Sequence, residues 1–560
     1  MKKYFFQNPY LLIFYSITAT ISAILGMSMA FVMSAFVNLL NGGTVQKLIS
    51  VFFISFIWLI SYVGFDALYA YLKNKLIKNI NTSIRQDLFK KIIFKNVNDY
   101  NKVNTASYIA DLNNNIENLS ANYFKPILDS VFMFSNLIGA FVGMLIIDIS
   151  TIYMIVILVA ISLLIPVLAK KHIEKRSQQY IGGVDEYNAR LKDYLDGFMT
   201  IKTFSLADKI CAKHNLYNED MESKKLSQQN LYIILRSTSI FLGIVSTIIA
   251  MAYGVYLTLI GRVEGGAIVA MGHLIGNICG GFEMITGFIS ELNSAKPIIE
   301  RYEKIIYTET VENDIGDTVK NIDIINIDNL SFEYSPENKI LTNLKAKFEK
   351  GKRYAIVGES GSGKSTLLNL LMRYYDNYTG QITLNNKSID KFTYKSLYEN
   401  IGYIGQNLFL FEDTILNNLT LYRSVSEAVV EKAIKISKLD DYINSLPSGI
   451  NTIIKEGGQN LSEGQKQRFA LARAYINNPQ IYLLDEFTSN LDMQTSTEIE
   501  NSILEEQDKI IIHITHKLIP EMLKKYDEIM VLRDGHIIEA GSYNELMDKK
   551  DYFYSLQYLS

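Results

Sequence analysis

Cysteine is nearly missing from this chain of 560 residues. Only Cys211 and Cys279 are present, which excludes a disulfide framework and leaves inert thiols as the plain reading. Charge of one sign is missing too: 55 basic and 58 acidic residues leave a net −3, so there is no electrostatic case for nucleic acid as a partner. No small-residue cleavage site follows the first apolar run, and that run is too long for the apolar region of a cleaved signal peptide. It reads as an uncleaved anchor. The length excludes a single core, so several domains are expected.

What is present falls into two unlike halves. The first 300 residues are dominated by apolar runs, six of them long enough to cross a bilayer: residues 11–36, 48–71, 123–147, 151–168, 231–260 and 267–292. Short turns follow the first, third and fifth, and they carry almost no cations. Longer stretches follow the second and fourth, and these hold Lys73, Lys75, Lys78, Arg85, Lys90 and Lys91, then Lys170, Lys171, Lys175, Arg176, Arg190 and Lys192. The positive-inside rule places the N-terminus and both long stretches in the cytoplasm, and an even number of spans returns the C-terminal half there.

Neither long stretch is a Gly/Pro-rich linker. Leu72, Leu76, Ile80, Ile84 and Leu88 recur every fourth residue, so the spans are expected to run on as helices and form two cytoplasmic arms. Asp66, Arg236, His273 and Glu283 are ionisable residues within the apolar runs. Asp66 and Arg236 read as interfacial or bundle-packing groups, while Glu283, in the middle of the sixth run, divides evenly between a substrate path and a helix contact. Gly276, Gly280 and Gly281 read first as close helix packing.

The second half carries the chemistry. A β-rich run at 354–357 leads into GESGSGKST and then a helical pattern, the context that the P-loop motif requires. Gly358, Gly361 and Gly363 let the backbone curl so that the amides of Glu359, Ser360, Ser362 and Thr366 can face phosphates at a helix N-terminus. Lys364 can reach the β- and γ-phosphates, and the Ser365 hydroxyl is a Mg²⁺ ligand. Far downstream, residues 461–492 read LSEGQKQRFALARAYINNPQIYLLDEFTSNLD: a polar turn, an amphipathic helix ended by Pro479, a buried strand over 481–484, and two carboxylates. Nucleotides bind at the C-terminal ends of strands in open α/β sheets. There Asp485 would hold Mg²⁺ through water, and Glu486 would orient the attacking water as general base. A further strand over 510–514 brings His516 to the same edge, placed for the γ-phosphate. Gln406 follows a strand-like run at 401–404 and says little alone.

Taken together, these motifs resemble the ATP-binding cassette family: P-loop, Gln406, the LSEGQ signature, the IYLLDE strand, SNLD and His516, in family order. The six runs, with LDGFMTIKTFSLADK and SAKPIIERYEKII, are similar to the family's exporter-type half-transporters. The resemblance implies a six-helix transmembrane bundle with long cytoplasmic extensions, followed by an α/β P-loop ATPase. The expected division is 1–305 for the membrane domain, 306–322 for a linker and 323–560 for the ATP-binding domain.

The resemblance also implies ATP and Mg²⁺ as cofactors, Gln406 beside the metal and Tyr334 stacked on adenine. It implies Ser462, Gly464 and Gln465 reaching the ATP held by a second chain. Glu463 departs from the family, which usually has glycine there. The expected protein is a homodimeric exporter in a bacterial plasma membrane, acting on a drug, lipid or small peptide, with a homologous half-transporter as the other possible partner. The alternatives are an importer on the same fold and an ATP-gated regulatory or channel protein. No peptidase segment precedes the first run, which speaks against a leader-cleaving exporter.

Overall fold

The computed structural model describes residues 1–307, 314–334, 339–405, 408–489 and 491–559; the side chains of 162–168, 170, 282–283, 285–286, 289–290 and 559 lie outside that description. Gln406 and the side chain of Glu283 therefore fall outside it. The chain divides into two compact units, Met1–Ile93 with Asn104–Thr308, and Phe94–Val103 with Glu309–Ser560.

The apolar runs of the first unit fold as helices, since a backbone in hydrocarbon must satisfy its own hydrogen bonds. They are α1 (Pro9–Asn38), α2 (Val45–Ile93), α3 (Lys125–Ile147), α4 (Thr151–Asp196), α5 (Ala207–Leu259) and α6 (Gly266–Tyr307). Pro9 opens α1 at a position where its missing N–H costs nothing. Among the described residues, four helices are long and apolar enough to cross a membrane: Pro9–Asn38, Val45–Ile93, Thr105–Ile147 and Ala207–Leu259; Thr151–Ile161 and Gly266–Gly281 are shorter apolar pieces. Phe52, Phe53, Ile54, Phe56, Ile57 and Ile60 of α2 are exposed, as a lipid-facing surface requires.

The every-fourth-residue stripe of α2 is the buried one. Leu72, Leu76, Ile80, Ile84 and Leu88 pack with Ile116, Leu119, Phe124, Leu128 and Tyr302. Among Gly276, Gly280 and Gly281 of α6, Gly281 is the close packer, for a Cβ there would lie 2.3 Å from Leu137 Cδ2, whereas Gly280 faces open space. Asp66 accepts a hydrogen bond from Ser22 at 3.3 Å, and His273 from Asn277 through its carbonyl at 2.9 Å.

The second unit is built on strands β1 (Ile324–Glu333), β2 (Lys339–Glu349), β3 (Arg353–Val357), β4 (Tyr378–Leu384), β5 (Lys387–Ser388), β6 (Ile401–Ile404), β7 (Ile481–Asp485), β8 (Ile510–Ile514), β9 (Glu528–Arg533) and β10 (His536–Gly541). Four form an antiparallel sheet in the order β2-β1-β4-β5, and six form a larger sheet in the order β10-β9-β3-β8-β7-β6. In the larger sheet β9, β3, β8, β7 and β6 run parallel. Both faces of its centre are covered, so the central strands β3, β7 and β8 are buried and almost wholly apolar. Tyr354, Ile356, Ile481, Leu483, Ile510, Ile512 and Ile514 pack on one side; Ala355, Val357, Tyr482, Leu484 and Ile511 pack on the other. The helices that matter below are α7 (Lys364–Leu371), α8 (Glu463–Asn477), α9 (Met493–Leu504) and α10 (Tyr552–Leu559).

Candidate functional site

Because β3, β6, β7 and β8 are parallel, the segments that leave their C-terminal ends share one edge of the sheet. From β3 comes the loop 358–363, which runs into α7. Two of its glycines are required by the backbone. Gly358 has φ of 151° and lies where a Cβ would meet Leu532 O at 2.1 Å; Gly363 has φ of 102°, and a Cβ there would meet Leu341 Cδ2 at 2.7 Å. Lys364 opens α7 and curls back over the loop, donating to the carbonyls of Gly358 (2.9 Å) and Glu359 (2.8 Å). Burial pulls the Lys364 ammonium below its ordinary pKa, and the carboxylates of Glu486 and Asp485 oppose that pull.

From β7 come Asp485 and Glu486. Asp485 is 8 % exposed. Burial raises its pKa; a hydrogen bond from Ser365 works against the rise and the neighbouring charge of Glu486 adds to it. Glu486 follows with φ of 50°, a left-handed conformation that residues with a Cβ seldom adopt. Its N–H donates to Ile514 O at 3.0 Å, and its Oε1 lies 2.8 Å from Nε2 of His516, which arrives from β8. The structure thus gathers Lys364, Ser365, Asp485, Glu486 and His516 at one place from the ends of three strands, although Asp485 lies 121 residues after Lys364 and His516 lies 30 residues after Glu486. Tyr334 stands just after β1, its hydroxyl 3.1 Å from Thr366 Oγ1, with its ring edge-on to Phe332 and Tyr375. Gln406, which follows β6 by two residues, is outside the described residues.

The signature residues are elsewhere. Ser462 is the N-cap of α8, and with Gln465 it closes a capping box: Ser462 Oγ accepts from Gln465 N at 3.2 Å, and Gln465 Oε1 accepts from Ser462 N at 2.9 Å. Gly464 sits inside that first turn. Among the described residues no hydrogen bond joins these three to the loop 358–363. Glu463 has a local account: it is the first helical residue, where a carboxylate suits the helix dipole, and it pairs with Lys466 at 2.8 Å.

Two neighbours of the site had no sequence signal. Tyr552 of α10 donates its hydroxyl to the Glu359 carboxylate, and its ring lies 4.6 Å from the Arg533 guanidinium. Lys517, beside His516, reaches Thr488 and Ser496. Neither belongs to a motif, and only the fold brings them in.

The arrangement holds a cationic loop at a helix start, a serine hydroxyl bonded to a buried carboxylate, and a carboxylate–imidazole pair. That combination suits a nucleoside triphosphate and an activated water. The comparisons with known proteins point the same way. A family model described as ABC transporter matches residues 341–489, and one described as ABC transporter transmembrane region matches residues 12–278. A putative multidrug export ATP-binding/permease protein of Staphylococcus aureus (strain NCTC 8325 / PS 47) is 31% identical over 404 residues, covering 70% of this chain and 68% of that protein. A putative export ATP-binding/permease protein of Rickettsia bellii (strain RML369-C) is 28% identical over 501 residues, covering 86% and 85%. In fold, the chain is similar to a bacterial Atm1-family ABC exporter solved with ATP bound, with a TM-score of 0.81 at 23% identity over 98% of each chain.

Proposed function

The chain belongs to the ABC transporter family, and from that premise we propose that two copies form a homodimeric exporter that moves an amphipathic substrate (drug, lipid or small peptide) by alternating access. Membership makes the chain an ATP-hydrolysing membrane transporter of the exporter type, and a half-transporter of this kind pairs with a second half.

The observation that carries the reading is the division within one cassette. Lys364, Ser365, Asp485, Glu486 and His516 meet at the strand ends, whereas Ser462, Gly464 and Gln465 cap the opposite end of α8 from β7. That helix of 15 residues is about 22 Å long. Each chain then offers the hydrolytic half of one ATP site and the signature half of another, and a head-to-tail pair completes both.

In this reading the adenine lies on Tyr334 and the phosphates lie in the loop 358–366. Lys364 exchanges the carbonyls of Gly358 and Glu359 for the β- and γ-phosphates. Glu486 takes the proton of the attacking water, and His516 keeps the Glu486 carboxylate in line. Ser365, Asp485 and Gln406 would hold Mg²⁺, which supplies neutralisation of the phosphate charge when bound. A hydroxyl hydrogen-bonded to a buried carboxylate is an oxygen donor set of the kind that ion takes. ATP favours the closed pair only in so far as it binds that state better than the open one. Six crossings leave the N-terminus and the cassette in the cytoplasm, at a bacterial plasma membrane.

The test is flux. Purified protein in proteoliposomes with the cassette outward should accumulate a lipophilic cation dye, a short-chain fluorescent phospholipid or a dansyl pentapeptide when given MgATP, and a Lys364→Ala variant should not. ATP-dependent release of the probe from the lumen would make the protein an importer. Indifference to all three probes would remove the amphipathic substrate class.

A further inference from the structure

The β7–β8 ladder ends where the chemistry begins. Its last pairs are Leu484↔His513 and Asp485↔Ile514, followed by the Glu486 N to Ile514 O bond of 3.0 Å. Past that point the loops carrying Glu486 and His516 leave the ladder. Yet Glu486 Oε1 and His516 Nε2 are 2.8 Å apart. A side chain beside His516 bridges the two loops as well.

Lys517 makes that connection. Its Nζ donates to Thr488 O at 2.8 Å, two residues beyond Glu486, and to Ser496 Oγ at 2.8 Å, in α9. Thr488 Oγ1 and Ser496 Oγ both turn to one carboxylate oxygen, Glu500 Oε1, at 2.6 and 3.3 Å. Thr488, Ser496 and Glu500 are 3, 3 and 6 % exposed, so the ammonium closes over a buried cluster rather than lying in solvent. Two of its three donors are used by fixed acceptors. Burial raises the Glu500 carboxyl pKa, while the Thr488 hydrogen bond and the Lys517 charge hold it down. A buried carboxylate beneath an ammonium is what keeps that ammonium seated.

We propose that Lys517 is a positioning residue for ATP hydrolysis: seated on the Thr488 carbonyl and Ser496, it serves as a rung between the two loops and holds Glu486 and His516 in register. The proposal rests on the reading of Glu486 and His516 as the hydrolytic pair. It predicts an effect on turnover rather than on nucleotide affinity, because none of the four residues of the cluster belongs to the loop 358–366. A misplacement of about 1 Å in such a pair can cost up to about a hundredfold in rate.

The experiment is steady-state MgATPase on the full-length chain in lipid nanodiscs, with binding of a fluorescent ATP analogue measured alongside. Lys517→Met should lower kcat at least about tenfold while KM for ATP stays within about twofold. Lys517→Arg keeps the cation and the reach to the Thr488 carbonyl and should recover most of the rate. Removal of the lysine takes away the positive charge that offsets the buried Glu500 carboxylate and can impair folding, so Lys517→Met combined with Glu500→Gln is the decisive variant. It removes the stranded carboxylate, and it should fold and remain slow. A double variant with the wild-type kcat would make Lys517 only a counter-ion to Glu500 and overturn the proposal, as would a single Lys517→Met variant with the wild-type kcat. Glu486→Gln and His516→Ala run beside them. If these two hydrolyse normally, the reading of the pair fails whatever Lys517 does. If they are inactive while both Lys517→Met variants are normal, only the positioning role fails.

Discussion

Glu486 holds a φ of 50° at the one turn where its carboxylate can meet His516. A left-handed residue with a Cβ costs of the order of 1 kcal/mol or more, and the fold keeps it there. On the proposed reading that carboxylate needs its basicity as well as its direction. Glu486→Gln keeps the shape and the contact with His516, so ATP binding should persist while turnover falls about 10²- to 10⁴-fold. Near-normal ATPase activity in that variant would remove Glu486 as the base. Asp485 makes a second case. Burial raises its pKa, so its ionised form is the costly one in the folded protein. The penalty is complete above the raised value and fades as pH falls through it toward the ordinary one near about 4. Asp485→Asn should therefore raise the unfolding midpoint of nucleotide-free protein at neutral pH, with a gain that shrinks on acidification, and should abolish MgATP hydrolysis. A midpoint unchanged or lowered would show that the ionised carboxylate is not under strain. At this scale the types and spacing of Lys364, Asp485, Glu486 and His516 could be read from the sequence because Asp485, Glu486 and His516 come at the ends of apolar strands and Lys364 closes the glycine loop that follows another. Lys517 and Tyr552 could not, because a lone lysine after a histidine and a tyrosine 193 residues from Glu359 look like any solvated side chain until the fold closes.

Helix α8 shows how an element joins two jobs. Its first turn is sealed by Ser462 and Gln465 and charged by Glu463, whose place at the signature's third position is accounted for by the helix start and by Lys466. Its far half is tied down by Arg473, which donates from Nε to Asn418 O at 2.6 Å, from one terminal nitrogen to Phe409 O at 2.8 Å and from the other to Asn418 Oδ1 at 2.9 Å. Burial lowers the Arg473 pKa to about 10, a sign of how far that guanidinium has left water. Arg473→Ala strands the carbonyls of Asn418 and Phe409, while Asn418 Oδ1 keeps its bond from Phe411 N, and should cost roughly 2–3 kcal/mol of stability, read as a lower unfolding midpoint. A midpoint shift of less than a degree would mean that the three bonds are replaced by water. The sequence shows the apolar face of α8 and Pro479 after it, yet gives no hint of the bonds of Arg473, whose partners Asn418 and Phe409 lie 55 and 64 positions away. The stripe of α2 is the opposite case. Leu72, Leu76, Ile80, Ile84 and Leu88 are all buried, and the repeat of four alone marks the face, since only a helix brings every fourth residue to one side.

For the whole molecule the question is where one ATP site ends and the next begins. If each site lies wholly within a chain, a chain lacking Lys364 and a chain lacking a working Ser462 are both dead, and mixing them changes nothing. If each site takes the loop 358–366 from one chain and the signature from the other, the mixture behaves differently. Consider equal amounts of a Lys364→Ala chain and a Ser462→Arg chain, each inactive alone, reconstituted together. Random pairing makes half of the dimers mixed. In each mixed dimer one site receives both defects, and the other combines an intact Lys364 with an intact Ser462. About a quarter of all sites should then be sound, and ATPase activity should return to roughly a quarter of the wild-type rate if the sites act independently. Activity that stays at the level of the separate variants would place the whole site within one chain and remove the head-to-tail pair. A wild-type chain that is itself inactive and monomeric when purified alone would instead assign the second half to a different half-transporter. What makes the mixed dimer informative is that the two defects sit on different elements, Lys364 at the start of α7 and Ser462 at the N-cap of α8, so neither variant is expected to disturb the other's half-site.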